Sequence, residues 1–344
     1  MRTDDLNVLK STGFIDWKNF NGKTVYITGA TGLIGSTIVD ALISCSEAKV
    51  VVQVRNEGKA RKLFGENVDY VVCDLSEKSP YIGTVNYIIH CANPTSSKFF
   101  IENPVETIKN AVNGTINVLE FAKDKAVDGF VFLSTMEVYG TPEKGHKVKE
   151  NEGGSFDSAV VRNCYPLSKQ TCESLCVAYA SEYGVNTKVL RLTQTFGPGV
   201  EYNDGRVFAE FARCAIEKRN IVLKTKGETE RDYLYTADAV SAIFTVLLNG
   251  RVGEIYTAAN EETYCSIYEM AKLVADMNGI KVVVKEQDIS KFGYANTLHM
   301  NLDTSKLRSL GWKAEVDLKE MFTRLIEDMK EAKNRTGVIF LGNK

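Results

Sequence analysis

The stretch Thr24-Val25-Tyr26-Ile27-Thr28-Gly29-Ala30-Thr31-Gly32-Leu33-Ile34-Gly35 decides the fold of this chain. Its first five residues, β-branched and aromatic, predict a strand. A G-x-x-G-x-x-G turn follows, opening a helix whose apolar spacing runs over 33–44. Three spaced glycines alone also describe an ordinary strand–helix turn. Placed directly after a first strand, they point further. The first glycine allows a tight bend, the second lets backbone approach a pyrophosphate, and the third lets the helix lie against the strand. The helix N-terminus adds N–H donors and partial positive charge. Gly29, Thr31, Gly32, Leu33, Ile34 and Gly35 are therefore expected to line a dinucleotide site.

Outward from that turn, short β-branched runs alternate with longer amphipathic ones. Strands are predicted at 49–54, 69–73, 85–90, 129–134 and 187–192, with the clearest helices at 33–44, 104–124 and 165–183. Near-continuous apolar strands imply a sheet buried on both faces, hence a parallel one. The expected fold is α/β, a doubly wound parallel sheet of Rossmann type with a smaller C-terminal substrate-binding lobe. Residues 1–21 form an N-terminal arm and 22–195 the dinucleotide-binding domain. Residues 196–344 form the lobe, with 231–260 a candidate to return to the large domain. In the lobe, 204–218, 236–249, 266–278 and 317–332 read as helices and 282–285 as a short strand.

A formal net charge of −2 gives no basic surface for nucleic acid, so none is expected as a partner. The eight cysteines contain no C-x-x-C pair, and no metal site is expected. With no secretion signal and no apolar run long enough to span a bilayer, the reading is a cytoplasmic protein with reduced thiols and no membrane partner.

The end of the second strand bears on the cofactor. NAD sites usually place a carboxylate there for the ribose hydroxyls, whereas here the chain reads Val52-Gln53-Val54-Arg55-Asn56. Arg55 can pair with a 2′-phosphate or stack on adenine, so the reading is NAD(P), leaning to NADP; the alternative is an arginine that simply faces solvent. Asp74, at the end of the third strand, can accept from the adenine amino group or cap its turn. Asn56 and Leu75 beside these two are counted as cofactor contacts.

Strand 129–134 runs into Ser134-Thr135-Met136-Glu137, and Tyr165-Pro166-Leu167-Ser168-Lys169 opens the helix 165–183. The i, i+4 spacing puts Tyr165 and Lys169 on one face. A phenol titrating near pH 10 is a poor base at neutral pH. An adjacent ammonium and a positively charged nicotinamide favour the phenolate, which can take a proton from a hydroxyl as hydride leaves carbon. Thr135, or Ser134, would hydrogen-bond the same hydroxyl, and Lys169 would also hold the nicotinamide ribose. A Y-x-x-x-K pair alone equally describes an aromatic packed beside a surface lysine; the glycine turn and the Ser/Thr strand end favour the chemical reading.

With TGATGLIG, IIHCANPTSS, PVETIKNAVNGTINVLE, STMEVYG, RNCYPLSK, TFGPG, NDGRV and RDYLYTAD, the chain from about 22 to 330 resembles the extended short-chain dehydrogenases/reductases, the nucleotide-sugar epimerases, dehydratases and decarboxylases. The resemblance implies a nucleotide-sugar substrate in the service of cell-surface glycans. It implies Cys91 and Ala92 beside the cofactor, Asn110 supporting the sheet near it, and a homodimer through helices 104–124 and 165–183. It also implies Arg206 and Arg231 on the nucleotide diphosphate, a role suited to a guanidinium fork.

Locally the chain is most similar to UDP-glucuronate decarboxylases, in Pro94 of NPTSS, in Arg162 and in the Thr135-x-Glu137 order. Met136 stands where decarboxylases carry serine and 4,6-dehydratases aspartate, and Gln194 stands where asparagine is usual. The expected catalytic set is Thr135, Glu137, Tyr165 and Lys169, with Pro94, Met136, Arg162, Gln194, Arg206 and Arg231 toward the substrate. The expected chemistry is transient oxidation at sugar C4, most simply by an epimerase. Glu137 is a candidate base at C5 or C3. Decarboxylation, net reduction or oxidation, an unusual dehydration and a non-catalytic NAD(P)-binding protein are the alternatives.

Overall fold

All five residues of the first strand are buried, and their side chains divide between two cores: Val25 and Ile27 enter one, Tyr26 the other. That division is the mark of a sheet covered on both faces. The computed structural model describes residues 1–93, 95–287 and 297–336. Its elements begin with α1 (Thr3–Ser11), β1 (Thr24–Thr28), α2 (Leu33–Cys45), β2 (Lys49–Val54), α3 (Glu57–Phe64), β3 (Asp69–Val72) and β4 (Tyr87–His90). Then come α4 (Ser97–Glu102), α5 (Pro104–Lys125), β5 (Gly129–Thr135), β6 (Lys147–Val148), α6 (Cys164–Tyr183) and β7 (Thr187–Leu192). The later chain forms β8 (Gln194–Phe196), α7 (Val207–Glu217), β9 (Ile221–Leu223), β10 (Glu230–Tyr235), α8 (Thr236–Asn249) and β11 (Ile255–Ala258). It closes with β12 (Asn260–Ser266), α9 (Ile267–Asn278), β13 (Val282–Val284), β14 (His299–Leu302), α10 (Ser305–Arg308) and α11 (Leu318–Thr336).

Seven strands pair in the order β11-β7-β5-β4-β1-β2-β3, and every pairing is parallel. Strand order reverses between β1 and β4, which opens a crevice at their carboxyl ends, the usual ligand position in such sheets. Helices α2 and α8 pack together on one face and α5 and α6 on the other. Among the described residues no helix is long and apolar enough to cross a membrane.

The remaining strands form a small mixed sheet, β12-β10-β14-β6 with β8 paired to β10, and a separate parallel pair, β13 and β9. Their core is built with α7, α9 and α11 around Phe196, Phe208, Tyr233 and Phe322. This mixed sheet is absent from the expectations, because its strands are short and pair across long sequence separations, leaving little local signature. Helix α7 starts at Val207, behind an Asp204–Arg206 turn, rather than at 204.

Candidate active site

The glycine turn has the shape its spacing demands. Gly29 has φ of +70°, and a Cβ there would meet the Ala92 backbone nitrogen at 2.7 Å. A Cβ on Gly35 would collide with the Gly29 carbonyl and lie 2.8 Å from the Ala30 Cα. Gly32, the N-cap residue of α2, supplies no side-chain cap, so the first N–H groups of that helix point out unshielded beside the crevice. A cradle that excludes side chains and presents free donors fits a dinucleotide pyrophosphate. Leu33 and Ile34 are half-buried, packing on the lobe core and the sheet core respectively. Across the crevice the Cys91 N–H donates to the Thr28 carbonyl at 3.2 Å. The Thr28 hydroxyl bonds His90 Nδ1 at 2.6 Å. Burial pushes the His90 imidazole down to about 3, so that ring is neutral.

At the ends of β2 and β3, Arg55 is 80% exposed and stands 4.0 Å from Asp74. The Asp74 carboxylate accepts the Ser76 N–H at 2.9 Å, which with the Ser76 hydroxyl holds it below its ordinary range. It therefore caps its own turn, the alternative reading of that residue. Asn56 caps α3 by accepting the Lys59 N–H at 2.9 Å. Leu75 packs where a Cβ on Gly114 would meet it at 3.3 Å.

Tyr165 and Lys169 share the inner face of α6, under the end of β5, and both are buried. Tyr165 stacks on Phe100, ring centroids 4.1 Å apart and planes 9° from parallel. Burial first and the Glu137 charge second push its phenol up, while a hydrogen bond with Thr135 and the Arg162 charge act the other way. Lys169 Nζ donates to the Leu133 carbonyl at 2.7 Å and lies 4.4 Å over the Phe132 ring. Burial brings its ammonium down to about 8, and nearby Cys172 and Glu173 oppose that fall. Arg162 donates to Glu137 at 2.9 Å and lies 5.0 Å over Phe100. Thr135, Glu137, Arg162, Tyr165 and Lys169 thus converge at one strand end.

Ser134 and Asn110 take other roles than those expected of them. The Ser134 hydroxyl donates to Glu173 at 2.5 Å, facing the interior rather than a substrate hydroxyl, because its strand position points under α6. Asn110 is exposed on α5 and does not support the sheet; the buried face of that helix carries Thr107, Ala111, Gly114, Thr115 and Val118, and residue 110 is off it. Met136 is buried, its sulfur accepting from the Thr193 hydroxyl at 3.3 Å in a cluster with Met300 and Leu302. Arg206 donates three times to the Asp204 carboxylate, at 2.6, 3.0 and 3.1 Å, and is exposed. Arg231 donates to Gln194 at 3.0 Å, and its buried Nε has no partner among the described residues. Pro94 lies outside the described residues.

Two participants escape the sequence reading. Phe100 carries no motif that marks it. The buried pair Glu173–Arg191 could have been found from spacing, since Glu173 follows Lys169 by four residues on the same helix face.

Residues 25–259 match the family described as NAD dependent epimerase/dehydratase. The chain is similar to UDP-glucuronic acid decarboxylase 1 of Xenopus tropicalis, 30% identical over 313 residues that span 88% of this chain and 71% of that protein. It is also 30% identical to UDP-glucuronic acid decarboxylase 3 of Arabidopsis thaliana, over 89% of each chain. Its fold is that of the UDP-glucose 4-epimerase of Thermotoga maritima solved with UDP-glucose, with a TM-score of 0.78, 23% identity and coverage of 90% of this chain and 99% of that one.

Proposed function

The chain belongs to the NAD dependent epimerase/dehydratase family, and from that premise we propose that it transiently oxidises C4 of a nucleotide-linked sugar, with Tyr165 as the base. The observation that carries this reading is the meeting of Tyr165, Thr135 and Lys169 at the end of β5, in a sheet whose β1–α2 turn fits a dinucleotide. When bound, the nicotinamide supplies a reversible hydride acceptor, held by the Gly29–Gly35 turn, Cys91, Ala92 and Lys169. Tyr165 takes the proton of the C4 hydroxyl, Thr135 orients that hydroxyl, and Lys169 supports the phenolate. Phe100, stacked on the phenol, keeps water from its face. Arg55 favours NADP. Arg231 with Gln194, and Arg206 once released from Asp204, bind the diphosphate.

A 4-keto group labilises a C5 carboxylate. On a nucleotide-linked uronic acid the C5–carboxylate bond breaks, carbon dioxide leaves, and its electron pair forms the C4–C5 enolate. In this reading the proton that C5 then needs comes from water and is passed on by Glu137, which Arg162 holds in place. Similarity to UDP-glucuronic acid decarboxylases over most of both chains supports this outcome. Met136, turned toward Thr193, does not oppose it. Epimerisation is the second reading, favoured by the fact that Tyr165, Thr135 and Lys169 suffice for it once the keto-sugar turns over. A homodimer through α5 and α6 is supported by the apolar Val105, Ile108 and Val177 left exposed on those helices.

The test is mass spectrometry of the purified protein incubated with a panel of nucleotide-sugars that includes UDP-glucuronate. A product lighter by carbon dioxide supports decarboxylation, and an isomer of unchanged mass supports epimerisation. Turnover should fall by about 10²–10⁴ in Tyr165→Phe; full activity in that variant would refute the assignment of the base.

A further inference from the structure

Tyr165, Lys169 and Glu173 follow at four-residue intervals along the inner face of α6, and all three are buried. The Glu173 carboxylate receives Nε and Nη2 of Arg191 at 2.9 and 2.7 Å and the Ser134 hydroxyl at 2.5 Å. Ser134 and Arg191 are register partners on β5 and β7. The same guanidinium donates to the Glu150 carbonyl at 2.9 Å and lies 4.7 Å over the Tyr139 ring. The cluster therefore ties together α6, β5 and β7 at the residue preceding Thr135.

An apolar cluster would fasten these elements equally well, since buried ion pairs are seldom the more stable choice. What a carboxylate adds is charge, one helical turn from Lys169. The groups that bear on Lys169 are His90 and Cys91 from the end of β4, and Cys172, Glu173 and Cys176 from α6; Phe132 and the Leu133 carbonyl reach it from β5. Arg191, on β7, lies beyond Glu173. Burial keeps His90 neutral and pushes the Cys91 thiol up to about 12, with Cys172 and Cys176 also raised. Glu173 is the anion in that set.

We propose that Glu173 is a positioning residue: pinned by Arg191 and Ser134, its carboxylate keeps Lys169 an ammonium inside a buried site and fixes the strand end that carries Thr135. This rests on the reading of Tyr165 as the base that Lys169 supports.

The experiment is a pH titration of the full chain with its lysines labelled at 13Cε, the Lys169 resonance being identified by its loss in Lys169→Arg. In Glu173→Gln the Lys169 midpoint should fall by about one unit, and the alkaline limb of kcat should move to lower pH with KM little changed. Glu173→Asp should restore both, and Ser134→Ala, which keeps the charge, should leave the midpoint in place. A midpoint unmoved in Glu173→Gln overturns the proposal. Should that variant not fold, Glu173→Gln combined with Arg191→Met removes both charges; a smaller fall supports the proposal and an unchanged midpoint overturns it. The titration reads the lysine without any sugar. A lowered midpoint beside a fully active Tyr165→Phe would therefore place the failure in the catalytic reading, not in the electrostatic one.

Discussion

At the scale of single residues, the site depends on how burial sets charge. Tyr165 sits where burial and Glu137 both oppose its ionisation, while the Thr135 hydrogen bond and the Arg162 charge favour it. Arg55 is the opposite case, 80% exposed and loosely opposed by Asp74. If it selects the 2′-phosphate, Arg55→Asp should shift the NADP-to-NAD affinity ratio toward NAD by about 10–100-fold, the value of one charge-assisted hydrogen bond. Calorimetric titration with each nucleotide measures this, and an unchanged ratio would remove the basis for the NADP preference. Residues tied to a local spacing, such as Gly29, Gly35, Tyr165 and Lys169, were legible in the sequence. Ser134 and Asn110 were not, because a hydroxyl or an amide announces its type but not which way it faces.

At the scale of elements, β10 is the strand of the mixed sheet that pairs with β8, β12 and β14. It carries Arg231 toward Gln194 and buries Asp232, whose carboxylate accepts the Leu302 N–H of β14 at 2.7 Å. Burial raises the Asp232 carboxyl from 3.8 to about 8. The folded state thus holds this proton more tightly than the unfolded chain, and the associated stability is lost as pH rises toward the folded value. Asp232→Asn keeps the acceptor and removes the titration. Its Tm should exceed that of the wild type increasingly from pH 6 to pH 8 and by a constant margin above; the gain across that interval is about 2 kcal/mol. Thermal melts of the two proteins that stay parallel across that range would show that another group compensates Asp232. Six of the seven strands of the large sheet and α2, α5 and α6 were legible because each carries its own local pattern; β11 was not, its four residues lying in a stretch read only as a candidate to return to the large domain. Strands β6, β8 and β14 were not, because two to four residues hold too little pattern to outweigh the turns around them.

At the scale of the whole molecule, the reversal of strand order between β1 and β4 brings the glycine turn, the Cys91-Ala92 crest and α6 to one edge of the sheet. On α5, which packs beside α6, Val105 and Ile108 are 53% and 45% exposed. If this face joins two copies, Ile108→Glu should shift the sedimentation coefficient from dimer to monomer while leaving the melting transition of the subunit in place. A value that does not move would assign the face another role. By itself the sequence determined the doubly wound sheet, the glycine turn and the Tyr165–Lys169 pair, because each is written in spacings of a few residues that backbone geometry converts directly into a face or a bend. Only the tertiary structure decided that Ser134 belongs to Glu173 and Arg191, that Met136 turns inward to Thr193, and that Phe100 covers Tyr165. These contacts join residues up to dozens of positions apart, and which of them form depends on how the packed layers share a limited interior.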